Sequence, residues 1–309
     1  MSESVKNLPI SILSRLRNKA QAEGRNAQDM LRYYAIERFL YRLSQSDHSD
    51  RFVLKGALIF LTWGIDLPRP TRDIDLRGFT AIDVETICSM MREICLTPVV
   101  SDGMVFDANS VVGETISEAA RYQGVRIRFN GALGKARTPM QIDIGFSDAI
   151  TPSALRVRYP TLLDMPAPEL QGYPPETVVA EKVEAMIVLD QINSRMKDFY
   201  DIWLIAQRFE FEGRLLQQAI QTTFHRRHTE LPRGVPVALS DSFAMKKQDL
   251  WRTFVIRYGL GSVAPLDFGS VVEGLRAFLM PIINTESFSG HWSNSQIWLR
   301  PALLASETA

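Results

Sequence analysis

The chain has 309 residues, 46% of them hydrophobic and 23% charged, which is apolar enough for two domains and too evenly balanced for wholesale disorder. Lysine plus arginine equals aspartate plus glutamate, 35 against 35, so no global field draws the protein to nucleic acid and any such partner must be held by a local patch. The two cysteines, Cys88 and Cys95, exclude a disulfide framework, offer no zinc spacing, and read as small core residues in a reducing compartment.

The first residues are polar and lack a signal-peptide apolar run. The longest apolar stretches, such as 57–63, fall far short of the roughly 20 residues that span a bilayer. The expectation is a cytoplasmic protein with no membrane partner. Residues 11–43 predict two helices, from Ile12, Leu16 and Ala20 and then Leu31, Ala35, Phe39 and Leu43 at helical spacing. After a polar break, Phe52-Val53-Leu54 reads as a short strand, Lys55-Gly56 as a turn and 57–63 as an apolar helix. A loop over 64–71 leads to a strand over 73–79 and a helix over 82–94, and 122–133 and 140–146 predict two further strands. From 151 onward prolines mark an irregular connector, then helical patterns dominate, notably 177–190 and 196–209. These patterns divide the chain into 1–150, N-terminal helices with an α/β unit, and 151–309, mainly helical.

Asp73 and Asp75 are two apart on a strand and therefore project from one face, while Ile74 and Leu76 point into the core. In Gln141-Ile142-Asp143-Ile144-Gly145-Phe146 the same alternation leaves Asp143 on the polar face, where a neighbouring strand can bring it to the pair. Clustered carboxylates are what hard divalent ions require, and such ions stabilise the attacking and leaving oxygens of a phosphoryl displacement. A lone Asp-x-Asp is usually a solvated strand face. Here it follows a strand–glycine–helix unit in which Gly56 lets backbone approach a phosphate and the helix N-terminus favours an anion.

Leu54-Lys55-Gly56-Ala57 followed by Arg69-Pro70-Thr71-Arg72-Asp73-Ile74-Asp75-Leu76 resembles the signature of the AbiEii/AbiGii nucleotidyltransferase toxins, in the polymerase-β-like nucleotidyltransferase superfamily. Tyr173 to Lys182 and Ser194-Arg195-Met196-Lys197-Asp198-Phe199-Tyr200-Asp201 resemble the family's second signature, and the likeness runs from about 10 to 210. The resemblance implies an α+β fold: a nucleotidyltransferase-like mixed sheet with flanking helices, followed by a mainly helical C-terminal domain, with the active cleft between them. It further implies an NTP substrate, Mg²⁺ (or Mn²⁺), a cognate antitoxin, and an RNA acceptor such as tRNA. One departure is Ala57, where the superfamily turn often has serine, so Lys55, backbone N–H groups or Thr71 are left to grip the phosphates.

On this reading Asp73, Asp75 and Asp143 bind metal, Lys182 contacts phosphate, and Asp198 orients Lys182 or holds substrate. Lys55, Gly56, Arg69 and Thr71 line the substrate site. Periodicity alone gives Lys182 a blander role, covering apolar surface at the edge of a buried helix face, with Glu181 and Glu184 pointing away. Arg121, Arg126, Arg128, Lys135 and Arg137 form a candidate phosphate patch or a solvated strand face, and His225-Arg226-Arg227-His228 is a second candidate of the same kind. A protein hydroxyl as acceptor, or an NTP-binding module without turnover, are the rival functions.

Overall fold

A computed structural model describes residues 7–65, 71–79, 83–118, 122–146, 148–293 and 295–299. Its internal contacts divide the chain into two units, Met1–Ser147 with Leu155–Gly172, and Asp148–Ala154 with Tyr173–Ala309.

The first unit opens with α1 (Leu8–Ala22) and α2 (Ala27–Gln45). Asn26 caps α2 by accepting from the backbone N–H of Gln28 and Asp29, which satisfies two of the donors a helix start leaves open. Ile12, Leu16 and Ala20 are buried, as their spacing predicts. Further along come β1 (Phe52–Lys55), a 3₁₀ turn over Gly56–Leu58, the short α3 (Ile59–Thr62), β2 (Asp73–Gly78) and α4 (Val84–Leu96). Cys88 and Cys95 are free and buried on α4. Three strands follow, β3 (Met104–Glu118), β4 (Tyr122–Leu133) and β5 (Ala136–Gly145), then β6 (Leu155–Arg158) and β7 (Glu169–Gly172). Together they make one seven-stranded sheet in the order β3-β4-β5-β2-β1-β7-β6. It is mixed: β2 runs parallel to β5 and β1 parallel to β7, whereas the other neighbours are antiparallel.

Three features depart from the sequence-based expectation. The apolar stretch after Gly56 begins as a 3₁₀ turn through Leu58 and continues as only a single α-helical turn, Ile59–Thr62. The connector after 151 is not wholly irregular, because β6 and β7 extend the sheet of the first unit. Strand β3 had no clear signal: its register shifts between Asp107 and Val112, so buried positions move from Met104 and Phe106 to Val111 and strict alternation is lost.

The second unit comprises α5 (Pro175–Leu189), α6 (Met196–Arg208), α7 (Gly213–Arg226), α8 (Asp241–Arg257) and α9 (Phe268–Ile283). Three two-residue strands, β8 (Phe211–Glu212), β9 (His291–Trp292) and β10 (Trp298–Leu299), add a small antiparallel sheet too short to show a period. Aromatic contacts fill its interior: Trp251 stacks on Phe268 at 5.0 Å and Phe278 meets Trp292 at 4.8 Å. Among the described residues no helix is long and apolar enough to cross a membrane.

Candidate active site

The sheet of the first unit sets the geometry. On β2, Asp73 and Asp75 are half-buried while Ile74 and Leu76 between and after them are fully buried, so the carboxylates share the polar face. Parallel pairing places Asp75 opposite Asp143 and Asp73 opposite Gln141. Extending the same register gives a continuous row across five strands, Lys55–Asp75–Asp143–Arg126–Glu114. A second row, Asp73–Gln141–Arg128–Val112, lies beside it. The three aspartates that alternation singled out are thus neighbours on one face.

Asp143 is already engaged. Arg126 Nε donates to Asp143 Oδ1 at 2.8 Å and Arg126 Nη2 to Oδ2 at 2.7 Å, a two-pronged pair, with Gln141 Nε2 at 3.4 Å from Oδ1. That pair holds the guanidinium pKa well above its usual value. Arg128, which the sequence groups with Arg126, pairs instead with Glu114 at 2.8 Å and leans on Gln141 Oε1. Burial first, and then the Asp143 charge, raise the Asp73 carboxyl above the ordinary range, against Arg126, Arg72 and Arg32.

Gly56 has a different neighbour from the one its turn suggests. Its φ is +68°, and a Cβ placed there would lie 2.6 Å from Asp75 Cγ and closer still to Oδ2. The absent side chain makes room for the Asp75 carboxylate. Lys55 sits opposite Asp75 in the register. Thr71 enters β2 with its N–H donating to the Tyr33 hydroxyl at 3.0 Å and its Oγ1 at 3.5 Å from the Asp73 carbonyl, so its hydroxyl stands near the pair. Arg69 and Arg121 lie outside the described residues.

Do these groups suit a divalent cation? The chemistry of Asp73 and Asp75 does, because hard oxygen ligands share one face and Asp73 is a carboxylate whose ionisation a nearby cation would favour. A ready three-ligand cage does not stand there: among the described residues no three histidine, cysteine or acidic side chains converge as one, and both Asp143 oxygens accept from Arg126. Asp73, Asp75 and Asp143 are the oxygen donors such an ion would draw on, and at Asp143 it would compete with Arg126 for both oxygens.

The second signature lies within the second unit. Lys182 Nζ, on α5, donates to Asp198 Oδ1 and Asp201 Oδ2 of α6, each at 2.8 Å, and Arg195 Nε is 2.6 Å from Asp198 Oδ2. Periodicity set Asp201 farther round the helix than Asp198, yet both reach the ammonium. The Lys182 side chain is 16% exposed and those of Asp198 and Asp201 are 1% and 6%. Burial works to lower the lysine pKa, and the two carboxylates overcome it and raise it. Burial likewise opposes ionisation of Asp198, and Lys182 and Arg195 overcome it.

Two expectations around α5 change. Glu184 is buried rather than solvent-facing, accepting from Arg227 Nη1 at 2.9 Å and from the Thr229 hydroxyl at 2.6 Å. Glu181 accepts from the Tyr173 hydroxyl at 2.9 Å. Arg227, read as part of a surface patch, is the cation of this cluster: its side chain is 11% exposed and Nη2 also donates to Asp148 at 2.7 Å. A partner distant in sequence buries charges that a helical projection assigns to solvent.

Arg32 and Arg72 were not singled out, although both guanidiniums act on Asp73. Arg72 adjoins the carboxylate pair in sequence, which was a usable signal; Arg32 comes from α2 and carries none.

The model of the family described as nucleotidyl transferase AbiEii toxin, type IV TA system, matches residues 38–273. The match begins later than the likeness read from the sequence, about 10 to 210, and continues well past its end. Crystal structures that the chain matches include that of JHP933 from Helicobacter pylori, 12% identical, covering 82% of this chain and 94% of that one with a TM-score of 0.46. Another, also of a Helicobacter pylori protein, is 13% identical and covers 90% of this chain and 98% of that one with a TM-score of 0.43. No curated protein matches the chain.

Proposed function

We propose a reaction for this chain, which belongs to the nucleotidyl transferase AbiEii toxin family of type IV toxin–antitoxin systems: transfer of an NMP from an NTP to an RNA hydroxyl, with tRNA the favoured acceptor. The chain is a nucleotidyltransferase; the acceptor, the metal and the residue roles are the proposal. One observation carries it. Asp73, Asp75 and Asp143 stand on one polar face of adjacent strands, and the Asp75 carboxylate fills the space that Gly56 leaves.

In the reaction the acceptor oxygen forms a bond to the α-phosphorus, the α–β anhydride bond breaks and pyrophosphate departs. The hydroxyl proton passes to Asp143. Asp73 and Asp75 would hold Mg²⁺ or Mn²⁺, which would supply charge stabilisation on the attacking and leaving oxygens. Should Asp143 serve instead as the third ligand, the hydroxyl proton would pass to solvent water; in either role its oxygens are shared with Arg126. Lys55 and Thr71 flank the carboxylates at positions suited to phosphate. Arg69 keeps its candidate role through its place in the motif alone.

Lys182 Nζ already donates to two buried carboxylates, which takes two of its three N–H groups. We therefore assign Lys182 and Asp198 to holding α5 on α6, as positioning residues. The antitoxin remains the expected protein partner, in keeping with the family's type IV systems.

The test uses NTP labelled on the α-phosphate, total RNA and Mg²⁺. Label should enter material that RNase destroys and protease does not, and γ-labelled NTP should leave no label behind. Label in a protease-sensitive product would replace RNA by a protein acceptor. NTP binding without transfer to either would make the chain a binding module.

A further inference from the structure

We propose that the cavity beside Asp73 is the acceptor's phosphate site, taking the backbone of single-stranded RNA on Arg32, Arg72 and Arg128; this rests on the RNA acceptor proposed above. The cavity has a volume of about 410 Å³, and Arg32, Arg72, Asp73, Arg128, Asn130 and Gln141 are among its walls. Everything that lines it belongs to the first unit.

Three observations converge. The floor is the second polar row of the sheet, Asp73–Gln141–Arg128–Val112, so the cavity runs from a reactive carboxylate outward along the sheet. Its cations come from three separate places, α2, the entry to β2, and β4, which suits successive phosphates better than one compact triphosphate. Its direction is also informative. Gly56 touches Asp75 from the β1 side, whereas the cavity opens on the β5–β4–β3 side. Attacking and leaving oxygens are roughly in line across the α-phosphorus. A triphosphate on the Gly56 side is therefore met by an acceptor arriving from the cavity.

A protein acceptor brings no phosphate backbone to these guanidiniums, whose partners within the chain include Asp29 at 2.9 Å from Arg32 and Glu114 at 2.8 Å from Arg128. RNA phosphates compete for the same cations. Val112, 60% exposed, and Pro139 give the walls apolar surface on which a base can rest. In a chain with zero formal net charge, a local cluster of this kind is what RNA binding requires.

The experiment is binding of a short fluorescein-labelled single-stranded RNA, followed by anisotropy over a range of salt concentrations without NTP. Arg128→Gln is the safe variant because that side chain is 49% exposed; Arg32→Gln/Arg128→Gln is the stronger one. The double variant should bind about tenfold more weakly, and the slope of log affinity against log salt should flatten by about 0.7 for each phosphate no longer neutralised. KM for NTP should stay near wild type. Asp73→Asn should bind RNA at least as tightly as wild type, since it removes a negative charge from the cavity wall. Wild-type affinity and slope in both arginine variants, or no RNA binding by the wild type at low salt, overturns the assignment. Because binding needs no turnover, the two proposals fail separately. RNA binding through these arginines without transfer to RNA contradicts the proposed reaction. Transfer to RNA with unchanged KM for RNA in the variants contradicts the cavity alone.

Discussion

A methyl group at Gly56 would occupy the space the Asp75 carboxylate now fills, at a residue whose φ of +68° already disfavours any side chain. Gly56→Ala should therefore lower stability by about 1–3 kcal/mol and reduce transfer as Asp75 is pushed aside. In an Asp75→Ala background the stability cost should shrink, which urea melts of the four proteins would show as a coupling energy. An identical cost in both backgrounds would mean that the turn alone accounts for the glycine. Asp143→Asn should lower single-turnover transfer by about 10²-fold while leaving NTP affinity nearly unchanged, because the charge is needed at the chemical step. Equal transfer in variant and wild type would remove Asp143 from the site. The three aspartates were legible because alternation on β2 and β5 separates buried isoleucines from polar neighbours. That Arg126 holds Asp143 was not legible: it depends on the register of β4 against β5, which single-strand alternation does not encode.

Helix α5 shows how a periodic reading fails at the scale of an element. Projection gave one apolar face and consigned Glu181, Lys182 and Glu184 to its edge or its far side, yet each has a partner contributed from elsewhere in the same unit. Burial there is decided by residues outside the helix: Asp198, which the motif reading did set beside Lys182, and Arg227, which no local pattern announces. Lys182→Met consequently strands two nearly buried carboxylates, and we expect a loss of about 3–5 kcal/mol in denaturant melts. Adding Asp201→Asn should recover part of that loss. A stable Met variant with transfer reduced by about 10²-fold would restore the phosphate-contacting role instead. Strand β3 failed for a related reason, since its bulge changes which positions face inward.

For the molecule as a whole, the pH dependence of folding has an identifiable contributor in the first unit. Glu37 on α2 is buried, and desolvation lifts its pKa from 4.5 to about 7, against Arg38 and the Leu162 N–H. The folded state thus binds this proton more tightly than the unfolded chain. Its contribution to stability is full below pH 4.5 and is lost as pH rises through about 7. Thermal melts of Glu37→Gln should lack that decline; parallel curves for wild type and variant would show that Glu37 does not titrate in this range. The broad plan, helices, then a sheet bearing carboxylates, then a helical region, was readable from periodicity. The return of β6 and β7 to the first sheet was not, because four-residue strands between prolines carry little pattern.

The central claim is that the Asp73–Asp75 face performs metal-assisted nucleotidyl transfer. Its most direct test is single-turnover transfer from α-phosphate-labelled NTP to RNA, with a Mg²⁺ titration, by wild type, Asp73→Asn and Asp75→Asn. Melting temperatures are measured on the same samples. The account predicts Mg²⁺-dependent labelling by the wild type and a loss of at least about 10²-fold in each variant, with melts close to wild type. Near-normal labelling by either well-folded variant across the titration would contradict it.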